Sequence, residues 1–164
     1  MRCLVTGATG FVGRALCERL DSAGIELIAT SRRGGNLGGG YTVHALDLET
    51  QGVPAKWLAE TDAVIHLAGI AHRDATDSSY ESLNYRATLQ LAADAASAGV
   101  KSFLFLSSVK AMGAPTSEEP RAETACVPPT DAYGLSKWRA ECALRDEFAV
   151  DRMSVVILRP ALVY

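Results

Sequence analysis

The run Cys3-Leu4-Val5-Thr6-Gly7-Ala8-Thr9-Gly10-Phe11-Val12-Gly13 decides how the rest of the chain is read. A short apolar segment passes through a glycine-rich turn into a helical pattern that extends from Phe11 to Ala23. The glycines have separate jobs. Gly7 and Gly10 permit a tight turn and let backbone N–H groups approach a phosphate, and Gly13 lets the helix pack closely on the sheet. Phe11 and Val12 open the helix, where unpaired N–H groups and the dipole favour an anion such as a pyrophosphate. A purely structural turn is the competing reading, but a strand before and a helix after are the context a phosphate-binding turn requires.

Outward from this turn, apolar runs alternate with helical patterns. Strands are expected at Cys3–Val5, Glu26–Thr30, Thr42–Ala45, Ala63–Leu67, Ser102–Leu106 and Ser154–Leu158. Several are nearly continuous hydrophobic runs, as parallel strands buried on both faces should be. Helices are expected at Phe11–Ala23, Ser79–Ala98 and Asp131–Phe148, with a short one at Pro54–Leu58. Gly24 and Gly99 are the stop signals of the first two. This alternation predicts an α/β fold, a Rossmann-type doubly wound parallel sheet with strand order 3-2-1-4-5-6. Two loops stand out, the glycine-rich Gly34–Gly40 and the proline-rich Met112–Thr130.

With 164 residues, the chain has enough length for one domain with a sizeable core. A net charge of -3 argues against nucleic acid, whose phosphates call for a basic face. No apolar run approaches the ~20 residues that span a bilayer, so no membrane partner is expected. Cys3, Cys17, Cys126 and Cys142 form no C-x-x-C pair and read as reduced thiols of a cytoplasmic protein, with no metal site.

After the second strand comes Ser31-Arg32-Arg33. An acid here would bind adenosine ribose hydroxyls; none is present, and guanidinium groups suit a 2′-phosphate. The cofactor is therefore expected to be NADP in preference to NAD, with solvated arginines as the competing reading. Asp47-Leu48 follows the third strand, where a carboxylate can meet the adenine amino group; an exposed loop acid is nearly as good a reading.

Tyr133-Gly134-Leu135-Ser136-Lys137 places a phenol and an ammonium on one helix face. A free Tyr has a pKa of ~10, and bringing it to ~7 requires roughly 4 kcal/mol of preference for the phenolate. The Lys137 ammonium and an oxidised nicotinamide would each supply part of it. Tyr133 then exchanges a proton with a substrate oxygen while the cofactor exchanges a hydride, and Ser108 hydrogen-bonds the same oxygen.

Taken together, these segments resemble the extended short-chain dehydrogenase/reductases, the nucleotide-sugar epimerase/dehydratase family. The likeness runs through Thr6–Gly13, His66-Leu67-Ala68-Gly69, Asn84–Thr88, Ser107–Gly113 and Arg159–Tyr164, with Ala87 where the family usually has Gly. It implies that Lys137 also binds the nicotinamide ribose. It places Leu67, Ala68, Gly69, Asn84, Ser107 and Pro160 along the cofactor cleft. The implied activity is hydride transfer at C4 of a nucleotide-linked sugar, as a 4-epimerase or a 4-keto reductase. Sugar 4,6-dehydratases of the family carry Thr-Asp-Glu where this chain has Ser108-Val109-Lys110, which disfavours dehydration. A redox-sensing binding protein is the other alternative, but such proteins typically lack the Tyr or Lys. Lys110 could reach a substrate phosphate or hydroxyl, or be a solvated loop lysine.

Family likeness also implies a homodimer built on the helices near Ser79–Ala98 and Asp131–Phe148, with Ala92, Ala95, Ala96, Ala140 and Ala143 allowing close approach or else facing the sheet. The apolar end Ala161-Leu162-Val163-Tyr164 suggests that residues 1–164 are the cofactor-binding domain of a longer protein whose substrate domain follows.

Overall fold

The alternation of apolar runs and helices builds one parallel sheet, seen in a computed structural model that describes residues 1–71, 76–114, 120–148 and 153–161. Its strands are β1 (Arg2–Thr6), β2 (Glu26–Ser31), β3 (Val43–Ala45), β4 (Ala63–His66), β5 (Ser102–Leu106) and β6 (Ser154–Leu158). They pair all-parallel in the order β3-β2-β1-β4-β5-β6, as expected. The order reverses beside β1: β2 lies on one side of it and β4 on the other, which opens a crevice at their carboxyl ends.

Helix α1 (Phe11–Ser22) buries Gly13 and Cys17, four residues apart, against one face of the sheet. There Cys17 joins Cys3, Val5, Ala8, Ala29 and Val43 in a core cluster. The opposite face carries α2 (Ala55–Ala59), α4 (Thr88–Ser97) and α5 (Ala132–Phe148), which pack Leu58, Leu91, Ala92, Ala95, Ala140 and Leu144 against Leu4, Val64, Phe103 and Phe105. Gly24 and Gly99 end their helices in the left-handed region, with φ of 72° and 82°.

Several boundaries differ from the sequence reading. The helix expected over Ser79–Ala98 is composite: a short α3 (Asp77–Ser79), a π-helical segment (Tyr80–Ala87) and then α4. The wider turn brings Tyr80, Leu83, Asn84 and Ala87 into the interior, a surface an unbroken α-helix would present differently. Ala92, Ala95 and Ala140 lie in the core, so they are not available to a second subunit. The proline-rich loop and the Arg159–Tyr164 motif are described only in part; residues 115–119 and 162–164 lie outside the described residues.

Candidate active site

The glycine turn closes by a bond from Gly10 N to Gly7 O (3.0 Å), and Ala8 N ties it to β2 through Thr30 O (2.9 Å). Gly7 has φ of +71°, and a Cβ there would stand 2.7 Å from Ala68 N, so the backbone after β4 comes against the turn. A Cβ on Gly13 would fall 2.8 Å from Ala8 Cα; this glycine lets α1 close onto the turn. Gly10 caps α1 without a side-chain partner, which leaves the first-turn N–H groups of Phe11, Val12 and Gly13 for an anion. The Phe11 side chain itself is exposed.

A cleft of about 430 Å³ opens beside the turn, at the carboxyl ends of β1, β2, β3 and β4. Gly7, Gly10, Ser31, Arg32, Asp47, Leu48, Leu67, Ala68 and Gly69 all line it, which brings together most of the residues singled out for the cofactor. Arg33 is exposed and does not line it. The Ser31 hydroxyl is turned back on its own loop, donating to Gly34 O (3.2 Å). Pro160 works through its backbone, accepting from Val109 N (3.1 Å) rather than lining the cleft. A larger groove, about 680 Å³, lies at the amino ends of β1 and β2 around Arg2, Glu26 and Trp57, away from the convergent polar groups.

The residues expected to be reactive stand beyond the carboxyl end of β5. Asp131 Oδ1 accepts from Gly134 N (2.9 Å) and starts α5. Gly134 packs so tightly that a Cβ would come within 2.7 Å of Lys110 O, which draws the helix start against the 3₁₀ turn Val109–Met112. That packing brings Ser108 into hydrogen bonding with the Tyr133 phenol. Tyr80 from the π-helical segment flanks the phenol, with ring centroids 5.8 Å apart. A second cavity of about 530 Å³ opens on Tyr133, walled by Ala71, Asp77, Tyr80, Lys110, Asp131 and Ala132.

One helical turn on, Lys137 is buried, and its Nζ donates to Leu106 O (3.0 Å) while lying 4.5 Å from the Phe105 ring centroid. Burial pulls its ammonium down to about 8, against the opposing pull of Glu141. Gly69 is the floor here: a Cβ would stand 3.1 Å from Asn84 Oδ1 and 3.2 Å from Lys137 Nζ. Asn84 spans the cleft, accepting from Ile70 N (2.8 Å) and donating to Ile70 O (2.9 Å) and Ser136 Oγ (3.2 Å); Ser136 in turn donates to Tyr133 O (2.7 Å).

The expected lowering of the Tyr133 pKa is absent from the free chain. Burial pushes the phenol up, and the Ser108 hydrogen bond only partly opposes it. Lys137, the expected cationic neighbour, turns its ammonium to Leu106 O and is not among the groups that shift the phenol, and an oxidised nicotinamide would add positive charge that the protein alone lacks.

Two buried polar groups that sequence reasoning passed over hold these parts together. His66 bridges Thr6 Oγ1 (Nδ1, 2.7 Å) and Thr88 Oγ1 (Nε2, 2.9 Å). Thr88 donates its hydroxyl to Asn84 O, so it accepts from Nε2–H; His66 is neutral, burial holding it down to about 3. Glu141 accepts from Ser107 Oγ (2.5 Å) and from Arg159 Nε (2.9 Å). The signal for Glu141 was its place four residues beyond Lys137 on one helix face.

A phosphate-binding turn at a sheet reversal, a cleft running along the strand ends and a Ser–Tyr–Lys set beyond it define a dinucleotide-binding short-chain dehydrogenase/reductase fold. The NAD dependent epimerase/dehydratase family model matches residues 3–164, and the chain belongs to that family. It is 33% identical to UDP-glucose 4-epimerase of Vibrio cholerae, an alignment covering 98% of this chain and 51% of that protein. It is 30% identical to 2'-dehydrokanamycin reductase of Streptomyces kanamyceticus, over 100% of this chain and 43% of that protein. Among solved structures, UDP-glucuronic acid 4-epimerase from Bacillus cereus in complex with NAD superposes with a TM-score of 0.84 at 25% identity, covering 100% of this chain and 57% of that one. The chain thus spans about half the length of the curated relatives it matches. Among the described residues no helix is long and apolar enough to cross a membrane, and no cluster could hold a metal ion.

Proposed function

We propose that residues 1–164 form the cofactor-binding and acid–base part of an enzyme that oxidises or reduces C4 of a nucleotide-linked sugar. The observation that carries this is the pair of clefts: one beside the glycine turn, lined by Gly69, and one opening on Tyr133, lined by Ala71 two residues further along the chain. A nicotinamide dinucleotide fits the first, because Gly7 and Gly10 line it beside the unpaired N–H groups that open α1, where an anionic pyrophosphate is favoured. When bound, it supplies the acceptor or donor of the hydride at C4.

The protein's own groups handle the proton. In reduction, the neutral Tyr133 phenol donates its proton to the C4 oxygen as the hydride arrives at carbon, and Ser108 hydrogen-bonds that oxygen. In oxidation the same proton returns to Tyr133 from the C4 hydroxyl. Arg32 in the cleft, with no acid after β2, favours NADP, and a 4-keto reductase that consumes reduced cofactor gains weight from it. An epimerase runs both half-reactions in turn and is the second form of this reading; the epimerase relatives support it. Dehydration lacks a carboxyl group at Val109 or Lys110.

NADP is the preferred cofactor in this reading, with Arg32 on its 2′-phosphate, because Arg32 lines the cleft and no acid follows β2. The complete protein is a cytoplasmic homodimer in this reading. The buried thiols of Cys3 and Cys17 fit a reducing compartment, and the outer faces of α4 and α5 supply the dimer contact. The test is calorimetric titration with NADP and NAD, followed by absorbance at 340 nm with 4-ketosugar nucleotides and the complete gene product. Arg32→Ala should weaken NADP about 10–100-fold and leave NAD unchanged, the effect of one charge-assisted contact. Cofactor binding without any sugar turnover would point instead to a redox-sensing protein.

A further inference from the structure

We propose that the buried Glu141–Arg159 pair is the positioning unit of the reactive set, fixing Ser107, and with it the Ser108 backbone, against the helix that carries Tyr133 and Lys137. This rests on the reading of Ser108, Tyr133 and Lys137 as the acid–base set.

Glu141 is fully buried, yet it is a carboxylate. Its Oε2 takes Arg159 Nη2 at 2.5 Å and Nε at 3.1 Å, and its Oε1 takes Nε at 2.9 Å and Ser107 Oγ at 2.5 Å. Arg159 also donates through Nη1 to Glu123 O (2.7 Å) in the loop that follows β5. One ion pair therefore ties together α5, the end of β5, the end of β6 and the loop between β5 and α5. Stability alone does not explain it. Apolar residues of similar volume are commonly as stable as a buried ion pair, or more so. What apolar packing cannot do is grip a serine hydroxyl and present a fixed negative charge one turn from Lys137.

Both effects bear on the chemistry. Ser107 and Ser108 are adjacent on an extended backbone, so a clamp on the Ser107 side chain sets the direction from which Ser108 approaches the Tyr133 phenol. Glu141 also opposes the desolvation of Lys137. The other charged or titratable groups around the pair are His66, facing Lys137 from β4; Arg145, 3.6 Å from Glu141 on the same helix; Cys142, also on that helix; and Cys126, which faces Arg159 from the loop before α5.

The experiment uses two readouts. The first is ¹⁵N NMR titration of the Lys137 amine in residues 1–164, assigned with Lys137→Arg, which needs no substrate. The second is the pH profile of kcat in the complete gene product. Glu141→Gln should move the Lys137 midpoint down from about 8 by roughly one unit. It should lower kcat ~100-fold with KM for the sugar nucleotide within ~3-fold, the signature of an interaction made in the transition state. Glu141→Asp should recover at least ~10-fold of that loss. Ser107→Ala keeps the ion pair, so it should lower kcat ~10-fold and leave the Lys137 midpoint in place, with a loss of thermal stability no larger than that of Glu141→Gln. If Glu141→Gln fails to fold, Ser107→Ala and Glu141→Asp decide the matter. A Lys137 midpoint and kcat unchanged in the Glu141 variants, or wild-type kcat in Ser107→Ala, overturns the positioning role. If the wild type turns over no nucleotide sugar while the Lys137 midpoint still moves, the functional reading fails and the electrostatic half of the positioning unit stands.

Discussion

At the scale of single residues, the site depends on groups that are missing as much as on groups that are present. Gly7 combines a left-handed backbone with the approach of Ala68 N, so an added methyl meets both backbone strain and a fixed peptide. Gly7→Ala should cost about 1–3 kcal/mol of stability and weaken the cofactor at least ~10-fold, measured by urea unfolding and by cofactor-fluorescence titration. Unchanged binding in a folded variant would remove the turn from the cofactor site. Tyr133 makes the opposite demand, since the proposed function makes its hydroxyl the proton carrier. Tyr133→Phe keeps the ring contact with Tyr80 and removes the bond to Ser108, so cofactor affinity should stay within ~3-fold while sugar turnover falls by ~10²–10⁴. Stopped-flow absorbance at 340 nm separates the two effects, and a turnover loss under tenfold would assign the proton to another group.

At the scale of elements, what was legible in the sequence followed from periodicity and glycine placement. The turn at Gly7–Gly13, the strands and the Tyr133–Lys137 spacing each leave a local pattern, and each appears where that pattern put it. The π-helical segment leaves none: the residues from Tyr80 to Ala87 are ordinary helix formers, and the extra residue per turn becomes visible only when Asn84 reaches Ile70 and Ser136 across the cleft. Glu141 reads locally as half of an exposed i,i+4 pair; Arg159, which buries it, comes from beyond the next strand. His66 likewise reads as one apolar-strand histidine until Thr6 and Thr88 close on both ring nitrogens. That network has a consequence in acid. The folded imidazole protonates only near pH 3, whereas the unfolded one takes a proton near ~6.5. The unfolded chain therefore binds more protons between those values, and the His66 contribution is complete above pH ~6.5 and is lost as pH falls toward 3, with a slope approaching ~1.4 kcal/mol per pH unit. Urea unfolding from pH 6.5 to 4.5 should show a steeper loss for the wild type than for His66→Gln; equal slopes would mean that His66 is not neutral in the fold.

At the scale of the whole molecule, the two clefts differ in how much of their wall this chain supplies. The cofactor cleft is bounded by four strand ends and by the loops after β1, β2, β3 and β4. The cavity on Tyr133 is walled by the π-helical segment, the 3₁₀ turn and the start of α5, and every residue named along it belongs to the Rossmann layer. At the far edge of the sheet, β6 leaves the apolar side chains of Val156 and Leu158 exposed. Relatives of about twice this length have further chain with which to close such a cavity. Residues 1–164 by themselves should then bind NADP with nearly the affinity of the complete gene product, because the glycine turn, Arg32 and Asp47 are all in place. Sugar turnover should be lost. Holding C4 against the nicotinamide can contribute ~7–11 kcal/mol to the rate, and a sugar nucleotide gripped on one side only forfeits much of it. Water entering the open cavity would also weaken the field on Tyr133 and Lys137. Parallel cofactor-fluorescence titrations and 340 nm turnover assays on the two proteins provide the comparison. Near-equal turnover would show that the substrate is held by the Rossmann layer itself, and attention would move to Asp77, Lys110 and Asp131 as the residues that grip it.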